Sequence, residues 1–348
     1  MTLDSYRTLG RTGLRVSPIA LGTMTFGGGD GWHAADDAAR TIFRRYLDAG
    51  GNFVDTADVY AGGRGEELLG RLIREAGARD RMVLATKFGV PTAPGDPNAG
   101  GNGRKKIIAS LEASLRRLHT DYVDLYWLHM WDTETPIEEV MSTLDALVRA
   151  GKVRAVGLSN VPAWYAAAAQ TVARQYGWAP VAALQLEYSL VRREIEWEHV
   201  PCAREFGMGV VPWYPLAGGF LTGNYTRDGD GLVGPGRLSG RAFPDTRPHP
   251  DRDWTVLAEV AAIAEEVGGT PAQVALAWLA RQPAVASVPA GATSPAQLDA
   301  NLASVDVSLT AAHLERLDAA GRPEAPSPYS LFHHPRVTTA TDRAPSRV

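Results

Sequence analysis

Four side chains that can take part in proton transfer follow short apolar segments of this sequence. They are a carboxylate, a phenol, an ammonium and an imidazole: Asp55, Tyr60, Lys87 and His129. Free tyrosine and lysine have pKa values of about 10 and 10.4, so both carry a proton at neutral pH. An ammonium beside a phenol stabilises the phenolate, so we expect Lys87 to lower the pKa of Tyr60. The set is suited to protonating an oxygen atom of a substrate.

Charge suggests a role for each of the four residues. We expect Asp55 to pair with Lys87, because a buried ammonium without a counter-charge is costly. Tyr60 is then the proton donor, and a neutral His129 orients a carbonyl group by a hydrogen bond. General acid catalysis of this kind typically contributes about 10²–10⁴-fold. Taken singly, each residue is more often structural, so the interpretation depends on all four meeting at one place.

A metal site is the alternative use of these side chains. Asp55, Asp58 and His129 offer two carboxylates and an imidazole, but their spacing matches no metal-binding motif. We therefore expect no metal.

Short apolar segments alternate with longer amphipathic ones along most of the chain. Segments with the length and composition of strands lie at 19–21, 53–55, 82–86, 123–128, 155–158, 183–185, 209–212 and 285–288. Helical periodicity is found at 36–49, 65–76, 104–118, 137–150, 162–176, 194–206, 254–267, 271–281 and 295–304. Asp36 is a candidate cap for the first helix, and Thr270 and Ser294 each precede a proline at a helix start.

This alternation predicts a parallel sheet with crossover helices, either a closed barrel or an open doubly wound sheet. The glycine run at 27–31 has the wrong spacing for a dinucleotide-binding loop, which favours the barrel. We therefore predict a single-domain (β/α)8 TIM barrel over residues 1–320. It has a long loop at 217–250, after the seventh strand, and an irregular C-terminal tail over 321–348.

In such a barrel the active site forms at the carboxyl ends of the strands. The predicted strands lead to polar, aromatic or glycine residues at those ends: Asp55, Lys87, His129, Ser159, Asn160, Gln185, Trp213 and Gly291. These residues are far apart in sequence, so only the barrel would bring them together.

Composition narrows the class of protein. The chain has 348 residues, 45% of them hydrophobic and 21% charged, with a net charge of −4. An acidic balance argues against a nucleic-acid partner. The one cysteine, Cys202, allows no internal disulfide, and neither a signal sequence nor a long apolar span is evident. We expect a cytoplasmic protein without a membrane partner, and its oligomeric state is left open.

Six segments resemble the signature sequences of the aldo-keto reductases. They are DTADVY at 55–60, TKFG at 86–89, LH at 128–129, GLSN at 157–160, LQLEY at 184–188 and PLAGG at 215–219. The resemblance runs in order from about residue 7 to 320. Within the family, the sequence is similar to the bacterial branch that contains aryl-alcohol dehydrogenases and potassium-channel β subunits. It implies an NAD(P)H-dependent oxidoreductase that reduces an aldehyde or ketone, with the four residues above as catalytic residues and Tyr60 as the general acid.

The resemblance also implies the residues that hold the cofactor. Ser159, Asn160 and Gln185 would bind the carboxamide, and Trp213 would stack on the nicotinamide ring. The remaining implied contacts, from the ribose to the adenosine end, are Thr23, Met24, Asp55, Tyr214, Pro215, Leu216, Gly218, Leu221, Gly223, Gly291, Thr293, Gln297 and Asn301.

Departures from the family pattern bear on the choice of cofactor. Tyr214 stands where many members have serine, Asn224 where lysine is frequent, and Thr293 and Ser294 where some members have a basic pair. Cations usually bind the 2′-phosphate of NADPH. We expect Arg237, in the long loop, to supply the missing charge. NADPH is the favoured cofactor, with NADH as the alternative.

The substrate is the least constrained part of this interpretation. Phe26, Trp32, Trp131 and Tyr188 are the candidate pocket residues, and they suit a flat, apolar small-molecule carbonyl compound. A different class of function is a nucleotide-binding redox sensor or partner-docking module with little turnover. The rate of turnover separates the two classes.

Overall fold

A computed structural model describes residues 3–29, 33–229, 231–236, 238 and 249–332. Trp32 and Arg237, which the sequence assigned to the substrate and to the cofactor, lie outside these residues.

Strands and helices alternate along the described chain. The strands are β1 (Arg7–Thr8), β2 (Arg15–Val16), β3 (Ile19–Gly22), β4 (Phe53–Asp55), β5 (Val83–Phe88), β6 (Val123–Leu128), β7 (Val153–Ser159), β8 (Val181–Gln185), β9 (Gly209–Val210), β10 (Thr226–Asp228), β11 (Gly231–Val233) and β12 (Val288–Gly291). The helices are α1 (Asp36–Asp48), α2 (Arg64–Glu75), α3 (Arg104–Leu118), α4 (Ile137–Arg149), α5 (Ala163–Tyr176), α6 (His199–Phe206), α7 (Asp251–Val267), α8 (Pro271–Leu279), α9 (Pro295–Leu302), α10 (Ala311–Gly321) and α11 (Tyr329–Phe332).

Eight parallel strands form the central sheet in the order β12-β3-β4-β5-β6-β7-β8-β9. The two ends of this sheet meet where Val210 forms a parallel bridge with Val285. At this seam the amide of Val210 donates to the carbonyl of Ala284 at 2.7 Å, and Ala286 donates back to Val210 at 2.9 Å. The sheet is therefore a closed barrel surrounded by helices, which confirms the predicted (β/α)8 fold.

Two apolar cores hold the barrel together. The larger one lies between the strands and the surrounding helices, and the smaller one fills the barrel interior. Strand residues alternate between them, so Tyr126 and Leu128 face the helices while Leu125 and Trp127 face the interior. The hairpin of β1 and β2 adds the buried Leu9 to the interior core and so closes the barrel at the amino ends of the strands.

Helix ends follow the sequence signals in part. Thr270 forms a capping box with Gln273, and the hydroxyl of Ser294 accepts a hydrogen bond from the amide of Gln297, as predicted. The expectation for Asp36 was wrong, because Ala35 occupies the cap position of α1 and Asp36 is the first helical residue. There its carboxylate still complements the positive end of the helix dipole.

The segment predicted as one helix over 194–206 is interrupted. It contains a 3₁₀ turn, Glu194–Glu196, followed by α6, which begins at His199. Pro201 has no amide hydrogen to donate to the preceding turn, so a helix can begin only shortly before it.

The long loop and the tail contain more regular structure than the sequence indicated. Residues 226–228 and 231–233 pair as the antiparallel hairpin of β10 and β11, where the sequence predicted a long loop. Helix α10 was not predicted, and helix α11 lies in the tail that was expected to be irregular. Among the described residues, no helix has both the length and the apolar composition needed to cross a bilayer.

One glycine inside the barrel is required by a neighbouring aromatic ring. A Cβ atom on Gly157 of β7 would lie 2.3 Å from two ring atoms of the buried Trp127. We predict that Gly157→Ala lowers the free energy of unfolding by about 1–3 kcal/mol, the usual cost of overpacking a core. Urea unfolding measures the change. Gly13→Ala is the control, because a Cβ at Gly13 meets no atom within 4 Å. Equal stability of the two variants would contradict the prediction.

Candidate active site

Asp55 stands at the centre of the site, at the end of β4. Its carboxylate is buried, and one oxygen pairs with the ammonium of Lys87. The other oxygen accepts hydrogen bonds from the indole nitrogen of Trp127 at 3.0 Å and from the amide nitrogen of Gln185 at 3.2 Å. The predicted pairing of Asp55 with Lys87 is confirmed, and the carboxylate is held by donors from three further strands.

Lys87 on β5 is 1% exposed, and the polar atoms around it match its three N–H donors. Besides Asp55, it donates to the carbonyl of Thr56 at 2.8 Å and to the hydroxyl of Tyr60 at 3.2 Å. Burial by itself lowers the pKa of Lys87, but Asp55 and Tyr60 outweigh burial, and the net shift of the pKa is upward. Lys87 is therefore an ammonium at neutral pH.

Tyr60 begins a 3₁₀ turn five residues after the end of β4. The next three residues, Ala61, Gly62 and Gly63, have φ values of 49°, 65° and 94°, in the left-handed region. Burial raises the pKa of Tyr60, and the neighbouring Lys87 only partly opposes it. Our expectation of a lowered pKa was therefore wrong for the net shift. Tyr60 keeps its proton at neutral pH, as a proton donor must.

His129 follows β6 and faces Tyr60. Their ring centroids are 6.3 Å apart, and the rings stand nearly perpendicular at 83°. Burial, together with the charge of Lys87, lowers the pKa of His129 to about 3. The imidazole is therefore neutral, as expected. Its Nδ1 atom is buried and has no hydrogen-bond partner among the described residues.

Asn160 connects three loops at this face of the barrel. Its side-chain nitrogen donates to the carbonyl of His129 and to the hydroxyl of Ser159, each at 3.0 Å. Its side-chain oxygen accepts the indole N–H of Trp213 at 2.9 Å. Asn160 has a φ of 50°, a left-handed backbone that asparagine tolerates better than most residues. The loops after β6, β7 and β9 are therefore fixed to one another.

A cavity of about 350 Å³ opens above these side chains. Sixteen residues line it: Gly22, Thr23, Met24, Thr25, Asp55, Tyr60, His129, Met130, Ser159, Asn160, Gln185, Trp213, Tyr214, Pro215, Pro289 and Gly291. Most of them were predicted as site residues. The sequence reasoning missed Gly22, Thr25, Met130 and Pro289, and Lys87 lies beneath the cavity rather than in its wall.

The other predicted cofactor contacts lie away from this cavity wall. Leu216, Gly218, Leu221 and Gly223 belong to or flank the 3₁₀ turn Ala217–Thr222, and the side chain of Leu221 is buried in the core. Three further predicted cofactor residues follow β12, and they form hydrogen bonds within the protein. The amide of Thr293 donates to the side-chain oxygen of Gln297, and the side chain of Asn301 donates to the carbonyl of Gly291.

The predicted substrate residues need correction. Phe26 is fully buried in the outer core. Tyr188 is 1% exposed, and its hydroxyl donates to Glu196 at 2.6 Å. Neither is among the described residues that line the cavity, because both side chains pack into the protein. Trp131 lies beside the cavity, where it packs against Trp164.

Trp127 is a site residue that the sequence reasoning missed. Its indole nitrogen reaches Asp55 from inside the barrel. The signal was present in the alternation of β6, because residues 125, 127 and 129 share one face of the strand. A tryptophan on the same face as His129 needs a partner for its N–H, and the strand ends offered the carboxylate of Asp55.

Asp58 faces away from the cavity, toward α3. It is 2% exposed and lies 3.8 Å from the ammonium of Lys106. Burial raises the pKa of Asp58 to about 6, assisted by Glu66 and opposed by Lys106, Ser110 and Arg117. Asp58 therefore does not join Asp55 and His129 at the cavity. Within the described residues no three metal-ligating side chains come together.

Comparison with known proteins agrees with this fold. A model of the aldo/keto reductase family matches residues 18–322. The chain is 36% identical to the uncharacterized oxidoreductase YrpG of Bacillus subtilis (strain 168), over 87% of this chain and 92% of that protein. It is 32% identical to an aryl-alcohol dehydrogenase [NADP(+)] of Phanerodontia chrysosporium, over 92% of this chain and 86% of that protein.

A third relative is a probable voltage-gated potassium channel subunit beta of Arabidopsis thaliana. It is 35% identical over 93% of this chain and 99% of that protein. The chain belongs to the aldo/keto reductase family, a family of oxidoreductases that use nicotinamide cofactors. Its relatives include the aryl-alcohol dehydrogenases and channel β subunits of the branch that the sequence indicated.

The buried Asp58 gives a pH dependence of stability. A carboxylate whose pKa is raised by folding stabilises the fold in its protonated form, below the folded pKa, and this contribution is lost as the pH rises. Relative to Asp58→Asn, the wild type is expected to lose roughly 2–3 kcal/mol of unfolding free energy between about pH 4 and 7.5, since one pKa unit is about 1.4 kcal/mol. Urea unfolding across this range measures the difference. If the unfolding free energies of the two proteins change with pH in the same way, the prediction is refuted.

Proposed function

We propose that this protein is an NAD(P)H-dependent reductase that converts an aldehyde or ketone to the alcohol, with Tyr60 as the general acid. One observation carries the proposal. The hydroxyl of Tyr60 lies 3.2 Å from the buried ammonium of Lys87 and lines the cavity beside the neutral His129.

The proton reaches the substrate from Tyr60. Its raised pKa keeps the phenol protonated before reaction. As the proton moves to the carbonyl oxygen, negative charge develops on Tyr60, and Lys87 stabilises that charge at hydrogen-bond distance. Asp55 keeps Lys87 charged and in place. A nicotinamide cofactor held in this cavity would supply the hydride for the carbonyl carbon.

His129 is proposed to orient the substrate. A neutral imidazole carries one N–H donor, which can point at the carbonyl oxygen without competing as an acid. The backbone carbonyl of His129 is fixed by Asn160, so the position of the ring is set by the loop after β7.

The cavity wall fits the nicotinamide end of the cofactor. Ser159, Asn160 and Gln185 place two amides and a hydroxyl at one side of the cavity, which suits a carboxamide. The side-chain N–H of Gln185 donates to Asp55, so the side-chain oxygen of Gln185 remains to accept an N–H of the carboxamide. The ring of Trp213, anchored on Asn160, offers a flat face for stacking.

NADPH is the cofactor that we propose, with NADH as the alternative. The aryl-alcohol dehydrogenase of Phanerodontia chrysosporium has NADP(+) in its name, which supports this choice. The start of α9 offers neutral donors near Thr293, and the charged group that we propose for the 2′-phosphate is Arg237 of the long loop.

The experiment is NADPH oxidation with an aromatic aldehyde, followed by absorbance for the wild type and for Tyr60→Phe. We expect kcat to fall by about 10²-fold or more, because the general acid is lost, while the Kd of NADPH stays similar. Tyr126→Phe is the matched control. It removes a buried hydroxyl that donates to the carbonyl of Ile107, behind the barrel wall.

A variant that keeps a tenth of the wild-type rate would remove Tyr60 from this role, provided that hydride transfer limits both enzymes. Tight cofactor binding with almost no turnover in the wild type would instead favour the sensor or docking module. That class has support in the similarity to a potassium-channel β subunit.

A further inference from the structure

The catalytic cavity is small for the molecules that it is proposed to hold. Its volume of about 350 Å³ lies near the lower end of the range of ligand pockets, about 300–1,000 Å³. The nicotinamide and the carbonyl group must share this space. Most of a substrate larger than one ring must therefore lie outside the cavity.

Met130 marks where the cavity meets solvent on the side of His129. It lines the cavity, yet 54% of its surface is exposed. Its neighbour Trp131 is tied to the end of β7 by a backbone hydrogen bond to Asn160 at 3.4 Å. Trp131 in turn contacts Trp164, the second residue of α5, with ring centroids 5.4 Å apart and planes at 86°.

These three residues, Met130, Trp131 and Trp164, are here called the aromatic rim. Trp164 is 57% exposed. The buried Tyr165 packs against both tryptophans, at 6.1 Å and 5.7 Å between centroids, and holds them in place. The rim is therefore an apolar surface that begins at the cavity with Met130 and extends through Trp131 to Trp164. Large apolar side chains exposed together at a cavity mouth are typical of a binding surface.

A carboxylate beside the rim, that of Asp132, disfavours anionic ligands. Asp132 follows Trp131 and accepts hydrogen bonds from Thr135 and from the amide of Asn102. Although burial opposes them, these bonds hold the pKa of Asp132 below its usual value, so it is a carboxylate. The carboxylate disfavours an anionic ligand, and the exposed apolar side chains of the rim fit a flat, apolar group.

We propose that the aromatic rim binds the distal ring of a two-ring aromatic carbonyl substrate, whose carbonyl group lies in the cavity. Trp164 is then a specificity-determining residue on a helix outside the cavity. The inference rests on the proposed reductase activity, and it names the substrate class for that activity.

The test compares 4-phenylbenzaldehyde with benzaldehyde in wild type, Trp164→Ala and Trp164→Phe. For Trp164→Ala we expect kcat/KM for the two-ring aldehyde to fall roughly three- to tenfold, mainly through KM, since a stacked ring is lost. Benzaldehyde, which does not reach the rim, is expected to change less than about twofold. Trp164→Phe keeps a ring and should retain most of the preference. Tyr176→Ala, an exposed aromatic at the other end of α5, is the control.

Equal losses for both aldehydes would show that Trp164 only supports the fold, and no loss for either would place the substrate elsewhere. Both results overturn the proposal. Calorimetric binding of 4-biphenylmethanol and benzyl alcohol decides the same question without turnover. If the wild type reduces neither aldehyde, the reductase proposal fails by itself. The rim is then judged by whether Trp164→Ala weakens the binding of the two-ring alcohol alone.

A separate observation concerns Trp127, whose indole N–H and the amide of Gln185 share one oxygen of Asp55. We infer that Trp127 is a positioning residue, which acts on the proposed reaction through Asp55. Lys87 and Tyr60 are the titratable groups that face this carboxylate. Without the indole N–H, the carboxylate loses one of the two donors that fix its orientation toward Lys87.

Trp127→Phe keeps an aromatic ring and removes the N–H. We expect kcat to fall roughly tenfold while KM changes less than about twofold, because the loss of one hydrogen bond to a charged group disturbs the position of Lys87 and not the binding of substrate. Trp278→Phe is the matched control, because that buried indole donates to Asp318 at 3.1 Å, away from the site. An unchanged kcat, or a loss that falls equally on KM, would show that Trp127 only packs in the barrel interior.

Discussion

The buried ion pair between Lys87 and Asp55 is the interaction on which the site depends. A charge at this depth is tolerated only when its polar partners are complete, because an unpaired buried ion is costly. The partners come from separate strands: Asp55 from β4, Lys87 from β5, Trp127 from β6 and Gln185 from β8. None of them is a neighbour of another in the chain. The barrel therefore has to close in one register for this pair to be satisfied.

Much of the fold was predictable, because strand and helix periodicities are local. The predicted ranges 53–55 and 123–128 match β4 and β6, while the other six strands of the barrel differ from their predicted ranges by one to three residues at an end. β12 begins three residues later than expected, because Val285 forms only an isolated bridge with Val210 at the seam. Helix α6 was misplaced at a proline whose missing amide breaks the preceding turn. The start of β12 depends on which strands pair across the barrel, and a local sequence pattern does not contain that information.

The site, like the fold, was predictable only in part. The four proposed catalytic residues meet, because the ends of parallel strands share one face of a barrel. The direction of the Tyr60 pKa was not predictable, since it depends on the balance between burial and the charge of Lys87. Phe26 and Tyr188 carry the right side chains for a pocket, but their rings point into the core. The sequence shows that an aromatic residue lies near the site residues along the chain, but it does not show where the side chain points.

The barrel is completed by strands from opposite ends of the chain. β3 pairs with β12, and beside that pairing the hydroxyl of Ser287 donates to the carbonyl of Ser17 across 270 residues. The wall of the cavity crosses this joint, with Thr23 on one side and Gly291 on the other. During synthesis the early strands must therefore wait for the last one before the sheet has no free edge. A ribosome-bound chain that lacks β12 exposes the edge of β3 to solvent, and an unpaired edge of this kind can pair with another chain.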